Sequence, residues 1–251
     1  MLRIRAFATT AFLLFGAVSF VAAQAPAPGA QRGAGAAAPG QGGRAGGGRA
    51  GGGRAGGPAR RAPLFFKEEW KQIPKGGENP IVPEHVANAN LELNLYGPNA
   101  KEMDVTGNPG DENNPTHLWT GLCTNVCGAT LRDKTSFADL SGLARISWNV
   151  KTSGFHQVRP LVKLADGTYY VGDHASASTR DWLVDDISVG DLKWLKFDAT
   201  KAVTQGNLLD KIDLSKVDEV GFVDLMPGSG HGAGGWVDVA QIEVYGNKVA
   251  R

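Results

Sequence analysis

From Leu91 onward the chain is written in short runs of β-branched, aromatic and aliphatic residues. Gly, Pro, Asn and Asp break these runs at close intervals, and stripes with a 3.6-residue period are scarce. Successive side chains of a strand point to opposite faces of a sheet, so this alternation predicts strands rather than helices. The expected strands are residues 91–96, 117–121, 128–132, 144–152, 157–164, 168–173, 182–187, 194–198, 219–225 and 236–245. Ala165-Asp166-Gly167 reads as the turn of a hairpin. Ten strands at this spacing fit an all-β fold of two packed antiparallel sheets.

One lead-in to a strand occurs twice. Asp139-Leu140-Ser141-Gly142-Leu143-Ala144-Arg145-Ile146-Ser147-Trp148 matches Asp213-Leu214-Ser215-Lys216-Val217-Asp218-Glu219-Val220-Gly221-Phe222 at Asp, Leu, Ser and the apolar positions. In each, Asp and Ser are placed to close a turn through side-chain bonds to the backbone, after which alternate residues enter a core. Ile146, Trp148 and Val150 share one face, as do Val220 and Phe222. The two segments are expected to be pseudo-equivalent strands and not units of a tandem array, because nothing else repeats.

The amino-terminal part has no such pattern. Residues 1–23 have Arg3 and Arg5 in a short basic start, an apolar run, and Val21-Ala22-Ala23 as a small-residue cleavage site, the layout of a secretory signal. Residues 24–61 are built of Gly, Ala, Pro and Arg, with a near-repeat of Gly-Gly-Gly-Arg-Ala that offers no apolar face to bury. A disordered linker is expected there, and a secreted or periplasmic protein with no transmembrane segment after signal cleavage. Residues 62–251 then form one domain, with its sandwich at 90–247.

Charge sharpens this division. Of the 26 basic residues, eight arginines precede residue 62, so the remaining chain sets 18 against 25 acidic residues, a net of −7. Affinity for a phosphate backbone needs the opposite sign, which argues against nucleic acid as the domain's ligand.

The Asp139 and Asp213 lead-ins, the long middle strands and the closing run from Gly235 to Gly246 resemble the galactose-binding-like β-sandwich superfamily. Within it, the resemblance is to carbohydrate-binding modules and complex I intermediate-associated domains. It implies a jelly-roll sandwich, a sugar held on a sheet face or rim loops, and often a structural calcium ion.

Read as chemistry, residues 157–164 put Gln157, Arg159 and Lys163 on one strand face. With Tyr170 and either Tyr169 or Asp173 offered by the neighbouring strand, this face would suit a sugar, an aromatic ring stacking on C–H groups while cations bind hydroxyls or a uronate. The same alternation describes an ordinary solvated face. Asp224 falls among apolar neighbours and therefore needs a partner, for which Arg159 is a candidate. Trp119 completes the expected ligand-binding set of Trp119, Arg159, Lys163, Tyr170 and Asp224. Asp104, Asp111 and Asp238 are candidate oxygen ligands for calcium. Cys123 and Cys127 are expected to form a local disulfide in an exported chain. His85, His117, His156, His174 and His231 show no metal-ligand spacing. Ser229 and His231 lie in a Gly-rich stretch that lacks the context of a nucleophile elbow. No motif marks a catalytic residue and no cofactor is required. The expected function is a secreted, non-catalytic module that binds a polysaccharide or cell-surface glycan; the alternative is a carbohydrate-active hydrolase or lyase on the same sandwich.

Overall fold

A computed structural model describes residues 61–73, 78–226 and 235–251. The expected signal and nearly all of the linker, and Ser229 and His231 in the Gly-rich stretch, lie outside the described residues.

Fifteen strands make up the described part: β1 (Leu64–Glu68), β2 (Leu91–Tyr96), β3 (Asp104–Thr106), β4 (His117–Trp119), β5 (Cys127–Asp133), β6 (Ser136–Asp139), β7 (Arg145–Thr152), β8 (Val158–Leu164), β9 (Tyr169–Gly172), β10 (Leu183–Ser188), β11 (Trp194–Asp198), β12 (Val203–Leu209), β13 (Val217–Asp224), β14 (Val237–Tyr245) and β15 (Asn247–Ala250). They form two antiparallel sheets. The first runs β10-β7-β14-β4-β3, with β1 also on β14; the second runs β12-β11-β9-β8-β13-β5-β2, with β6 on β13 and β15 on β6. This is the all-β sandwich of two antiparallel sheets that the sequence pattern predicts, with all ten expected strands in place.

The core lies between the sheets because one parity of each strand is apolar. On β7, Ile146, Trp148 and Val150 are fully buried, and on β13 Val220 and Phe222 meet the same cluster. Burying a side chain of this size contributes about 1.5–3 kcal/mol, so these central strands hold the two sheets together.

The duplicated lead-in does what its residues dictate. Asp139 Oδ1 accepts from the Ser141 N–H at 2.9 Å and the Ser141 hydroxyl at 2.6 Å, and Asp213 Oδ1 accepts from the Ser215 N–H at 3.0 Å. The two segments also touch, the Leu140 N–H donating to Leu214 O at 2.9 Å. They feed β7 and β13, each an interior strand of its own sheet.

The five strands beyond the expected ten have little apolar alternation. β12 (Val-Thr-Gln-Gly-Asn-Leu-Leu) is exposed throughout and β15 nearly so. Both are edge strands, held by their ladders rather than by a buried face.

Cys123 and Cys127 are both buried and free, which corrects the expected disulfide. Cys127 opens β5 opposite Asp224, while Cys123 sits in a turn tied to Thr120 O at 2.8 Å, its thiol directed at Asn99 O. Within these constraints the thiols meet through a hydrogen bond. That bond, burial and the neighbouring charges push the Cys127 thiol well above its ordinary range.

Candidate functional site

The outward face of the first sheet follows from strand register. Leu118, Val105, Val150 and Val239 point into the core. The alternate residues therefore point out. Trp119 lies opposite both Asp104 on β3 and Asp238 on β14, His117 opposite Thr106, and Lys151 on β7 opposite Asp238. Four neighbouring strands thus deliver one outward patch of Thr106, His117, Trp119, Lys151 and Asp238.

Loops raise walls around this patch. Asp111 Oδ1 accepts from the Asn113 and Asn114 N–H groups at 3.0 and 3.3 Å, folding the loop so that both asparagines line a cavity. Trp182, just before β10, donates its indole N–H to Asn113 O at 3.2 Å and stands edge-on to His117, ring centres 5.1 Å apart. Trp236 precedes β14 and completes the wall. The cavity has a volume of about 530 Å³ and is lined by half-buried Trp119, Trp182 and Trp236 together with Thr106, Asn113, Asn114, His117, Lys151 and Asp238.

Two glycines make the arrangement possible. Gly121 leaves room for the Trp119 indole, since a Cβ there would lie 2.0 Å from Trp119 Cε2. Gly107 has φ +84° and lies against Pro115 O, where a Cβ would be 2.0 Å from that oxygen and 2.9 Å from His117 Nδ1. Thr120 fixes the end of β4 to the start of β14 through two bonds of 2.9 Å, its N–H to Val237 O and the Val237 N–H to its Oγ1.

The electrostatics centre on Asp238. Its side chain is buried, and among the described residues Oδ1 has no hydrogen-bond partner. His117 Nε2 is 3.6 Å from that oxygen, while His117 Nδ1 lies 2.7 Å from Pro115 O. Burial pushes the Asp238 carboxyl up to about 7, against the opposing pull of a hydrogen bond with the Trp236 side chain and the charge of Lys151. Burial also lowers His117 from its usual value; the bond to Pro115 works against this and the Lys151 charge with it.

On the same face, two residues along β7 and beyond the β14 bulge, Asn149 and Gln241 pair across the ladder and floor a second cavity of about 670 Å³. Its walls include Gln72, Pro109–Glu112 of the same loop, and the edge of Trp70.

The expected ligand-binding residues are not gathered in one place. Trp119 is on the first sheet; the other four are on the second. There, Arg159 and Lys163 point outward, but Asp224 pairs with core-facing Val158, and Tyr170 pairs with core-facing Val162 and packs on the main core. Asp224 therefore faces away from Arg159. Its partner is His156, Nδ1 lying 2.6 Å from Asp224 Oδ2, both side chains buried. Burial raises the Asp224 carboxyl, and His156 and the Met226 N–H oppose that shift. Arg159 instead donates to Asp173 O at 3.1 Å and Gln157 Oε1 at 3.2 Å.

The tyrosine beside Lys163 is Tyr169, opposite it in the ladder. Lys163 donates to buried Glu219 Oε1 at 2.8 Å, and Glu219 Oε2 accepts from Thr130 Oγ1 at 2.5 Å and from the Tyr96 hydroxyl. Of the three carboxylates considered for calcium, Asp104 accepts the Asn79 N–H at 3.0 Å, Asp111 shapes the loop, and Asp238 floors the cavity. Among the described residues no three His, Cys, Asp or Glu side chains form a group that holds a metal.

Sequence reasoning missed His117, Lys151, Trp182 and Trp236 as partners of Trp119. Trp236 and Asp238 share a strand parity, which is a local signal; the rest meet only through register and loop closure.

The fold and site define an antiparallel β-sandwich with an aromatic groove on one outward sheet face. No protein-family model and no curated protein matches the chain. Among solved structures it is similar to the family 11 carbohydrate-binding module of a cellulosomal cellulase of Clostridium thermocellum, with TM-score 0.44, 16% identity, and coverage of 68% of this chain and 95% of that one. The same family's module in complex with a β-1,3-1,4-mixed-linked tetrasaccharide gives TM-score 0.41 at 16% identity, covering 68% and 96%. The carbohydrate recognition domain of Emp47p gives 0.34 at 6% identity, covering 68% and 94%. At these TM-scores the likeness assigns no function; the chemistry of the groove has to.

Proposed function

We propose that this domain binds a glycan in the groove on the first sheet, acting outside the cytoplasm at the end of its Gly/Arg linker. The observation that carries the reading is the pairing of three half-buried indoles with a buried carboxylate oxygen that no group among the described residues satisfies. Leaving such an atom without a donor costs roughly 1–3 kcal/mol or more, and a cavity lined with amides, a lysine and flat aromatic faces is suited to a polyhydroxylated ring that supplies the missing donor. Asn113, Asn114 and Lys151 offer further bonds to hydroxyls. The second cavity beyond Asn149 and Gln241 extends the same face for a chain of several sugar units.

The test is titration of the protein with a panel of soluble oligosaccharides, followed by tryptophan fluorescence, with reducing ends assayed in parallel. Saturable binding that Trp119→Ala and Trp236→Ala each weaken at least tenfold, with no new reducing ends, is the expected result. Binding that neither substitution changes contradicts the groove. Turnover replaces the binding-module reading with the hydrolase one, for which Asp238, protonated up to about pH 7, is the group placed to donate a proton.

A further inference from the structure

At the floor of the groove, once Asp238 has ionised above about pH 7, two acceptor atoms face each other with no hydrogen between them. His117 Nδ1 carries the ring proton, because its partner at 2.7 Å is the Pro115 carbonyl oxygen, which only accepts. The ring is neutral at pH 7, its proton affinity lowered chiefly by burial. Nε2 therefore presents a lone pair to Asp238 Oδ1, 3.6 Å away, and among the described residues that oxygen has no other partner.

We propose that the groove selects sugars bearing a free primary amine, whose ammonium group sits between Asp238 Oδ1 and His117 Nε2 among the indoles of Trp119, Trp182 and Trp236. This rests on the glycan reading above and names its substrate class. An ammonium nitrogen carries three hydrogens and serves both acceptors at once, whereas one hydroxyl serves one. A neutral vicinal diol reaches both acceptors but adds no positive charge beside a buried carboxylate that the Trp236 bond and the Lys151 charge offset only in part, which is the costlier state. An amine cation neutralises that charge and gains attraction from the indole faces. Lys151 does not meet this need, since among the described ion pairs only His117 stands beside Asp238. N-acetylation removes both the charge and two of the hydrogens, so an acetylated sugar loses the contact.

The titratable groups facing Asp238 in the cavity lining are His117 from β4 and Lys151 from β7. Recognition needs the Asp238 carboxylate, so affinity for the amine rises with pH through about 7 and declines again where the sugar amine loses its proton.

The experiment is calorimetric titration of the full chain with three tetrasaccharides of β-1,4-linked units, namely glucosamine, N-acetylglucosamine and glucose, from pH 5.5 to 8.5. At pH 7.5 the glucosamine tetramer is expected to bind at least tenfold more tightly than either neutral one. Asp238→Asn abolishes that preference, and so does Trp119→Ala, which leaves the protein's charge unchanged. Equal affinities for the three overturn the amine inference and leave the glycan reading standing. No binding of any oligosaccharide, in this set or in the wider panel, overturns both. A preference that survives Trp119→Ala reports adhesion of a cationic sugar to the acidic domain surface and also overturns the inference. Far-UV circular dichroism of each variant verifies that it is folded.

Discussion

The two sheets turn opposite kinds of surface outward. On the second sheet, the polar groups nearest the interior satisfy one another: Glu219 is bonded by Lys163, Thr130 and Tyr96, and Tyr96 meets the Tyr169 hydroxyl at 3.2 Å. A small second apolar cluster of Leu161, Val171, Phe197, Ala202 and Val223 closes much of that face, with Tyr96 and Tyr169 packed against it. On the first sheet, Asp238 is as buried as a core residue, yet among the described residues Oδ1 is left open beneath three indoles. Among the described residues the open atom on the second face is a neutral amide, Asn94 Nδ2, which costs less than an open carboxylate. Both faces carry aromatic rings, cations and carboxylates, so residue type alone does not tell them apart. What separates a structural network from a binding site is whether its buried charges are already answered.

The largest expected effect tests the closed network. Glu219→Ala strands three donors and is expected to lower stability by about 3 kcal/mol or more in urea denaturation, while oligosaccharide affinity of the folded protein is unchanged. Lost affinity at retained fold would make the second sheet a binding face and remove the contrast.

Asp238→Asn should act in the reverse sense. The folded-state carboxyl ionises near 7 and an unfolded one near its ordinary value of 3.8. Between those values the folded protein keeps a proton that the unfolded chain has lost, so stability falls as pH rises from about 4 to 7 and the whole cost is present above 7. The variant is therefore expected to be more stable than the parent above pH 7, by on the order of 2–4 kcal/mol, and to lose that slope. A variant less stable than its parent at pH 8 would mean that Asp238 serves the fold.

A smaller effect is expected from Gly121→Ala. Its Cβ occupies the position of the Trp119 indole, so the ring is displaced and oligosaccharide affinity falls about tenfold, measured by titration. Smallest of all is Arg159→Ala, expected within about 0.5 kcal/mol in stability and neutral in binding, because among the described residues its guanidinium meets only Gln157 and a backbone carbonyl at a partly exposed position.

The same contrast explains what the sequence discloses. Alternation places the strands, and the Asp-Leu-Ser lead-ins place the turns before β7 and β13, because those signals are local. β12 and β15 escape because an exposed edge strand needs no apolar parity. In the site, Trp119 and Asp238 stand out as residue types, but His117, Lys151 and Trp182 join them through pairings as distant as β4 with β14 and through a loop fastened by Asp111. Arg159 and Lys163 present the more sugar-like pattern on paper. Their actual neighbours, including Glu219 and Tyr96, come from strands far away in the chain. Tyr169 rather than Tyr170 faces Lys163, a difference of one residue that moves a side chain to the other side of the sheet.

The six tryptophans supply the most direct test, because they divide between groove and core. Indole N–H resonances are to be followed by heteronuclear magnetic resonance during titration with an oligosaccharide that binds. The expected result is large shifts for Trp119, Trp182 and Trp236, with Trp148 and Trp194, fully buried in the core, unmoved. Shifts confined to backbone amides around Lys163, Tyr169 and Glu219, with the three groove indoles unchanged, would place the ligand on the second sheet and contradict the account.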